Sequence, residues 1–141
     1  MIILDTNVIS ELVRINPDYS VTACIDRLPP DEIFTAAICE AEIRYGLARM
    51  PTGRRRDDLT ARMNAFLDLG FGDRILLFDR HCAAAYGDIR QARDASGKPI
   101  STGDAMIAAT ALAYGAKALA TRNIRDFVDC GLALVDPWAG P

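Results

Sequence analysis

Ile2-Ile3-Leu4-Asp5-Thr6-Asn7 stands at the start of the chain, a short apolar run that breaks off on an acid, a hydroxyl and an amide. Consecutive aliphatic residues suit a strand covered on both faces, and an aspartate directly after it suits the N-cap of a following helix. The same pattern recurs along the chain. Ile33-Phe34-Thr35, Ile75-Leu76-Leu77-Phe78 and Leu132-Ala133-Leu134-Val135 are short apolar runs bounded by polar or turn residues, and Lys117 to Ala120 is a weaker fifth. Between them the spacing becomes helical. Cys39, Ile43, Leu47 and Met50 share one helical face until Pro51, Leu59, Met63, Phe66 and Leu67 mark a second stripe, and Cys82, Ala85, Tyr86, Ile89 and Ala92 a third. Ala105 to Tyr114 is apolar nearly all round, as expected of a helix packed between a sheet and other helices. Strands separated by helices cannot pair as tight hairpins. The expected fold class is therefore α/β, a mostly parallel, doubly wound sheet with right-handed crossovers on both faces.

A length of 141 residues with 50% hydrophobic and 25% charged side chains suits one domain, 1–141, and leaves no room for a long disordered tail. The longest nearly apolar run, Ala105 to Ala116, falls short of the roughly 18 to 20 residues that cross a bilayer, and Asp5 interrupts a signal-peptide reading of the N-terminus. A cytoplasmic protein without a membrane segment is expected. Cys24, Cys39, Cys82 and Cys130 are widely spaced, contain no C-x-x-C pair and share one histidine, His81, so free thiols are expected rather than a zinc or redox motif. With 16 basic and 19 acidic residues, the net charge of −3 argues against a protein that holds nucleic acid by bulk positive field. A nucleic-acid role would have to be local or metal-assisted.

In an open parallel sheet the carboxyl ends of the strands share one rim, where ligands bind. Asp5 follows the first apolar run, Thr121-Arg122-Asn123 follows Lys117 to Ala120 with Asp126 one turn on, and Asp104 opens the apolar helix. Each acid also has a plain capping role: Asp5 as an N-cap, Asp104 three residues after Ser101, Asp126 three after Asn123, and Asp79 after Phe78. Gathered at one rim, however, like charges repel, and a divalent cation among them relieves that repulsion. Glu40 and Glu42 flank the stripe that begins at Cys39. Glu40 has Arg44 four residues on, whereas Glu42 meets Tyr45 and Gly46 and is left without a local cation.

These residues carry a resemblance. Asp5-Thr6-Asn7-Val8-Ile9-Ser10, Ala41-Glu42-Ile43-Arg44-Tyr45-Gly46-Leu47, Asp104-Ala105-Met106-Ile107-Ala108-Ala109-Thr110-Ala111 and Thr121-Arg122-Asn123-Ile124-Arg125-Asp126-Phe127 together resemble a PIN domain, nearest to the VapC-type toxin ribonucleases of toxin–antitoxin systems. The likeness extends to Asp136-Pro137-Trp138 and covers essentially the whole chain. It implies a PIN-like three-layer α/β/α fold and an acidic metal site at Asp5, Glu42 and Asp104. The fourth acidic position is ambiguous between Asn123 and Asp126; it is assigned to Asp126, with Asn123 in support. Thr6, Asn7 and Thr102 look like groups that orient the carboxylates. The resemblance further implies Mg²⁺ or Mn²⁺ as cofactor, endonucleolytic cleavage of RNA, a small antitoxin partner and a homodimer.

Two divalent ions among four carboxylates would carry the formal net charge from −3 to about +1, easing the approach of RNA. Basic residues gather in two stretches, Arg49, Arg54, Arg55, Arg56 and Arg62, and Arg80, Arg90, Arg93 and Lys98. Arg54, Arg55 and Arg56 are candidates for gripping phosphates, against the plain alternative of a solvated face with pairs such as Asp58 and Arg62. Two other classes compete. A receiver-type phosphoacceptor domain also clusters acids at such a rim, but Asp5 is not part of an acidic pair and Lys117 precedes the late strand rather than following it. A non-catalytic RNA- or protein-binding module would share the fold without the chemistry; retention of every acidic position speaks against it.

Overall fold

The computed structural model describes residues 1–140. Five apolar runs form strands β1 (Ile2–Leu4), β2 (Ile33–Ala36), β3 (Ile75–Leu76), β4 (Ala118–Ala120) and β5 (Leu134–Val135), hydrogen-bonded in the order β3-β2-β1-β4-β5. Every pairing is parallel, with Ile3 opposite Phe34 on one side and Leu119 on the other. The expectation of a mostly parallel sheet thus holds as a fully parallel one. Ile3, Leu4, Leu119 and Ala120 are buried at the sheet centre, which is why the central strands read as continuous apolar runs rather than alternating ones.

Seven helices complete a three-layer α/β arrangement: α1 (Thr6–Leu12), α2 (Tyr19–Ile25), α3 (Ala37–Arg49), α4 (Arg54–Ala65), α5 (Arg80–Ala95), α6 (Thr102–Ala113) and α7 (Ile124–Phe127). Cys39, Ile43 and Leu47 are the buried face of α3, and the helix stops before Pro51. In α6 the residues Ala105, Ile107, Ala108, Ala109, Thr110 and Ala111 are all buried, as the all-round apolar pattern required. α4 runs on into a wider π turn over Phe66–Phe71, which seats Leu67 and Phe71 in the core. Met63 is buried and Met50 and Phe66 pack against the core, so these residues serve packing rather than an exposed apolar patch.

Three details depart from the sequence reading. The spacing gave no helix at α2, where Asp18 accepts from the Ser20 N–H and starts one. On α5 the buried stripe is Cys82, Ile89 and Arg93, while Ala92 is exposed. Eleven residues after Cys82 is close to three whole helical turns, so position 93 faces inward whatever its chemistry. The arginine there donates from Nε to the Lys98 carbonyl at 2.6 Å and from its guanidinium to the Val128 carbonyl. Asp58 and Arg62 form no ion pair; Arg62 reaches instead to the Val13 carbonyl at 2.9 Å and ties α4 to the end of α1. Cys24, Cys39, Cys82 and Cys130 are all free, as expected, and no helix among the described residues is long and apolar enough to cross a membrane.

The chain moves outward from β1 to β2 and β3, then returns to the other side of β1 with β4 and β5. Strand order therefore reverses between β1 and β4, and the carboxyl ends of those two strands frame a crevice.

Candidate functional site

Asp5 leaves β1 and Thr121 leaves β4 on either side of this reversal point, and the Asp5 N–H donates to the Ala120 carbonyl at 3.0 Å. Thr121 Oγ1 donates to Asp5 Oδ2 at 2.7 Å, Asn7 Nδ2 donates to the same oxygen at 2.8 Å, and the Thr6 N–H donates to Oδ1 at 2.7 Å. Asp5 thus does cap α1, but the capping bond is only one of three that fix its carboxylate. With the residue only 4% exposed, burial pushes the carboxyl above its ordinary range; the three hydrogen bonds oppose that shift and the charge of Asp126 adds to it.

Glu42 projects from α3 without an ion pair and accepts a hydrogen bond from Thr6 Oγ1, whereas Glu40 is bound to Arg44 at 2.6 Å as the four-residue spacing implied. Asp104 lies in the first turn of α6. Ser101 Oγ accepts from the Asp104 N–H at 3.1 Å, but the reciprocal bond of a capping box, from the Ser101 N–H to the carboxylate, does not form. Burial first, then the charges of Asp5, Asp126 and Glu42, hold the Asp104 carboxyl above its ordinary range, against a lowering by Ser101. Asp126 is exposed on α7, and its charge acts on both Asp5 and Asp104. Asp79 is separate: it caps α5 by accepting from the His81 and Cys82 N–H groups.

The supporting residues divide. Thr6 and Asn7 hold Glu42 and Asp5, and Asn7 Oδ1 also accepts from the Arg122 N–H at 3.1 Å, joining the β1 end to the β4 end. Thr102 does not face the acids through its hydroxyl, which accepts from Arg90 at 3.2 Å. The Asn123 side chain makes no capping bond to α7; its N–H donates to Thr121 Oγ1 at 3.0 Å. Arg54 and Arg55 open on a different groove, of about 1080 Å³, with Arg14, Ile15, Leu59 and Arg62 on its walls and none of the four acids. Arg56 is half-buried beside the Met50 carbonyl.

Two residues escaped the sequence reading. Thr121 is wholly buried and acts as both donor to Asp5 and acceptor from Asn123. Its position after β4, matching that of Asp5 after β1, was the available signal. Gly103 lies so near Glu42 that a Cβ there would sit 2.7 Å from Glu42 Oε1. Nothing in the local sequence marks that approach.

None of the four acids forms an ion pair with lysine, arginine or the N-terminus among the described residues. Nor are any three His, Cys, Asp or Glu side chains among those residues drawn close enough to hold an ion as they stand. A hard divalent cation is the charge that relieves repulsion among carboxylates that sense one another. Asp5, Glu42, Asp104 and Asp126 offer only carboxylate oxygen, the donor chemistry suited to Mg²⁺ or Mn²⁺.

The PIN domain family matches residues 2–130. The chain belongs to that family. Among relatives of this PIN domain, the VapC ribonuclease Y4jK of Sinorhizobium fredii is 41% identical over 138 residues, 98% of both chains. Toxin FitB of Neisseria gonorrhoeae is 38% identical over 138 residues, covering 98% of this chain and 99% of the relative. The crystal structure of FitAcB from Neisseria gonorrhoeae superposes with a TM-score of 0.89 at 38% identity, covering 98% of this chain and 99% of that one.

Proposed function

We propose that residues 1–141 act as a single PIN domain that cleaves RNA endonucleolytically, as the toxin of a type II toxin–antitoxin pair in the cytoplasm, with Asp5, Glu42, Asp104 and Asp126 as its catalytic, metal-holding acids. The observation that carries this reading is that the charges of Asp5, Glu42 and Asp126 all bear on Asp104, and that of Asp126 on Asp5, by the point where strand order reverses and without one basic partner. The relatives named ribonuclease and toxin support it, since identity with them runs the length of the chain.

In this reading the protein's work is positional. Three hydrogen bonds fix both oxygens of Asp5, and Thr6 orients Glu42, so the acids keep their directions when a cation neutralises them. The first turn of α6 presents Asp104, and α7 presents Asp126. When bound among these residues, Mg²⁺ or Mn²⁺ supplies Lewis acidity toward water and phosphoryl oxygens. Thr121 and Asn7 lock the two strand ends together, so the wall spacing is set before substrate arrives. The antitoxin partner and the homodimer belong to the same proposal.

Labelled single-stranded RNA incubated with the purified chain is expected to be cut internally with Mg²⁺ and left intact with EDTA or with Asp104→Asn. Independently of cleavage, Mn²⁺ is expected to raise the thermal midpoint of the unmodified chain and not that of Asp104→Asn, because an ion that binds only the folded state stabilises it. The non-catalytic module keeps one observation in its favour, the absence of a closely gathered acidic trio among the described residues. Calorimetric titration that finds no Mn²⁺ or Mg²⁺ binding would establish it.

A further inference from the structure

Beside the acidic crevice lies a smaller hollow of about 390 Å³, lined by Arg122, Asn123, Ile124, Arg125, Asp126 and Asp136. We propose that it seats a phosphodiester of single-stranded RNA adjacent to the one that is cut, with Arg122 and Arg125 as its ligands. The inference rests on the ribonuclease reading for its substrate class, while its evidence lies chiefly in Arg122, Arg125 and Trp138, none of them among the four acids.

Arg122 is anchored where such a contact is useful. Its N–H is bonded to Asn7, which is bonded to Asp5, so its backbone is fixed relative to the acids. Its guanidinium carbon stands 5.1 Å from the centroid of the Trp138 ring. Stacking on an aromatic face fixes the plane of a guanidinium while leaving its N–H edges outward, the preorganised fork that suits phosphate oxygens. The Trp138 backbone is held in turn, its main-chain N–H donating to Asp136 Oδ1 at 2.9 Å. Neither Arg122 nor Arg125 forms an ion pair or a side-chain hydrogen bond among the described residues, although two acids share their hollow. Asp136 accepts instead from the Trp138 backbone N–H. Two exposed arginines without an ion pair, one of them set over an aromatic ring, are left beside an acidic rim.

Trp138 is the one tryptophan of the chain, so its emission reports on this hollow. The test titrates a 5′-labelled, 2′-O-methyl single-stranded hexanucleotide into the full-length protein in EDTA at low salt, where nothing is cut. Affinity is read by anisotropy of the label and location by Trp138 emission. The unmodified chain is expected to bind with a saturable change in Trp138 emission. Arg122→Ala is expected to weaken binding about tenfold and to lower the log–log salt slope by about 1. Arg122→Lys keeps the charge but loses the stacked fork, and falls between. Lys117→Ala removes the same charge at the opposite end of β4, where Lys117 pairs with Glu32, and is expected to bind as the unmodified chain does. Equal binding by Arg122→Ala and the unmodified chain overturns the proposal, as does the absence of any change in Trp138 emission. If no RNA is cut with Mg²⁺ while Arg122 dependence persists, the ribonuclease reading fails and the subsite stands; cleavage without Arg122 dependence gives the converse.

Discussion

Gly103→Ala separates folding from function more cleanly than removal of any charged group. The added methyl would sit 2.7 Å from Glu42 Oε1, about 0.7 Å inside the 3.4 Å at which ordinary contact begins. The clash falls on the mobile end of a side chain, so the carboxylate swings away and the backbone stays. Two stability effects oppose each other. Alanine in place of glycine in a helix gains up to about 1 kcal/mol, and loss of the Thr6 to Glu42 bond costs about 1.5 kcal/mol. The thermal midpoint is therefore expected to stay within about 5 °C of the unmodified chain. Activity has no such compensation. Displacing one acid by more than about 0.5 Å from a shared site costs on the order of tenfold to a hundredfold in rate. Thermal unfolding followed by circular dichroism, beside initial rates of RNA cleavage at several Mg²⁺ concentrations, checks both halves. Cleavage by Gly103→Ala at the unmodified rate and Mg²⁺ dependence would refute the placement of Glu42 in the site.

Asp5→Ala strips the acceptor from Thr121 Oγ1, Asn7 Nδ2 and the Thr6 N–H; leaving these partly buried donors unmet is expected to cost about 3–5 kcal/mol. Asp5→Asn keeps the shape and is expected to cost no more than about 2 kcal/mol in urea unfolding while abolishing cleavage; an Asn variant as unstable as the Ala one would contradict this account. Arg93→Met is expected to lose about 3 kcal/mol by leaving the Lys98 and Val128 carbonyls without their donor, and a thermal midpoint unchanged by it would show that clamp to be dispensable. Lys117 holds the Glu32 carboxyl below its ordinary value, first by hydrogen bonding and then by charge. The pair's contribution is thus present above the unfolded carboxylate pKa and fades as pH falls through the folded one. In Lys117→Ala an NMR titration of Glu32 is expected to move upward toward the value of a free glutamate, and no movement would exclude the pairing.

The residues that sequence alone could place are those whose position follows from local pattern. Asp5 was legible because it ends an apolar run, and Glu42 because a neighbouring helix turn gave Glu40 a cation and left Glu42 none. The alternation of runs and stripes also set the parallel sheet, since helices between strands leave few other ways to pair them. What was not legible depends on approach between distant segments. Thr121 became part of the site through a bond spanning 116 residues, and Gly103 through the reach of a glutamate on another helix. Arg93 was grouped with a basic stretch and left out of the buried stripe because its charge outweighed its helical phase, and the carbonyls it satisfies come from a loop and from the end of α7. Thr102, which looked like an orienting hydroxyl, accepts from Arg90, a contact across 12 residues that local pattern does not show. α2 was missed because its seven residues offer too few turns for a periodic signal.

The reversal of strand order at β1 and β4 has a temporal meaning for a protein made from its N-terminus onward. Asp5 is made 116 residues before Thr121, whose hydroxyl locks it, and Asp126 comes later still. A polypeptide interrupted anywhere before that point carries the first acids without the neighbours that aim them. Under the proposed activity, the lock on Asp5 cannot form until the segment bearing Thr121 has been made.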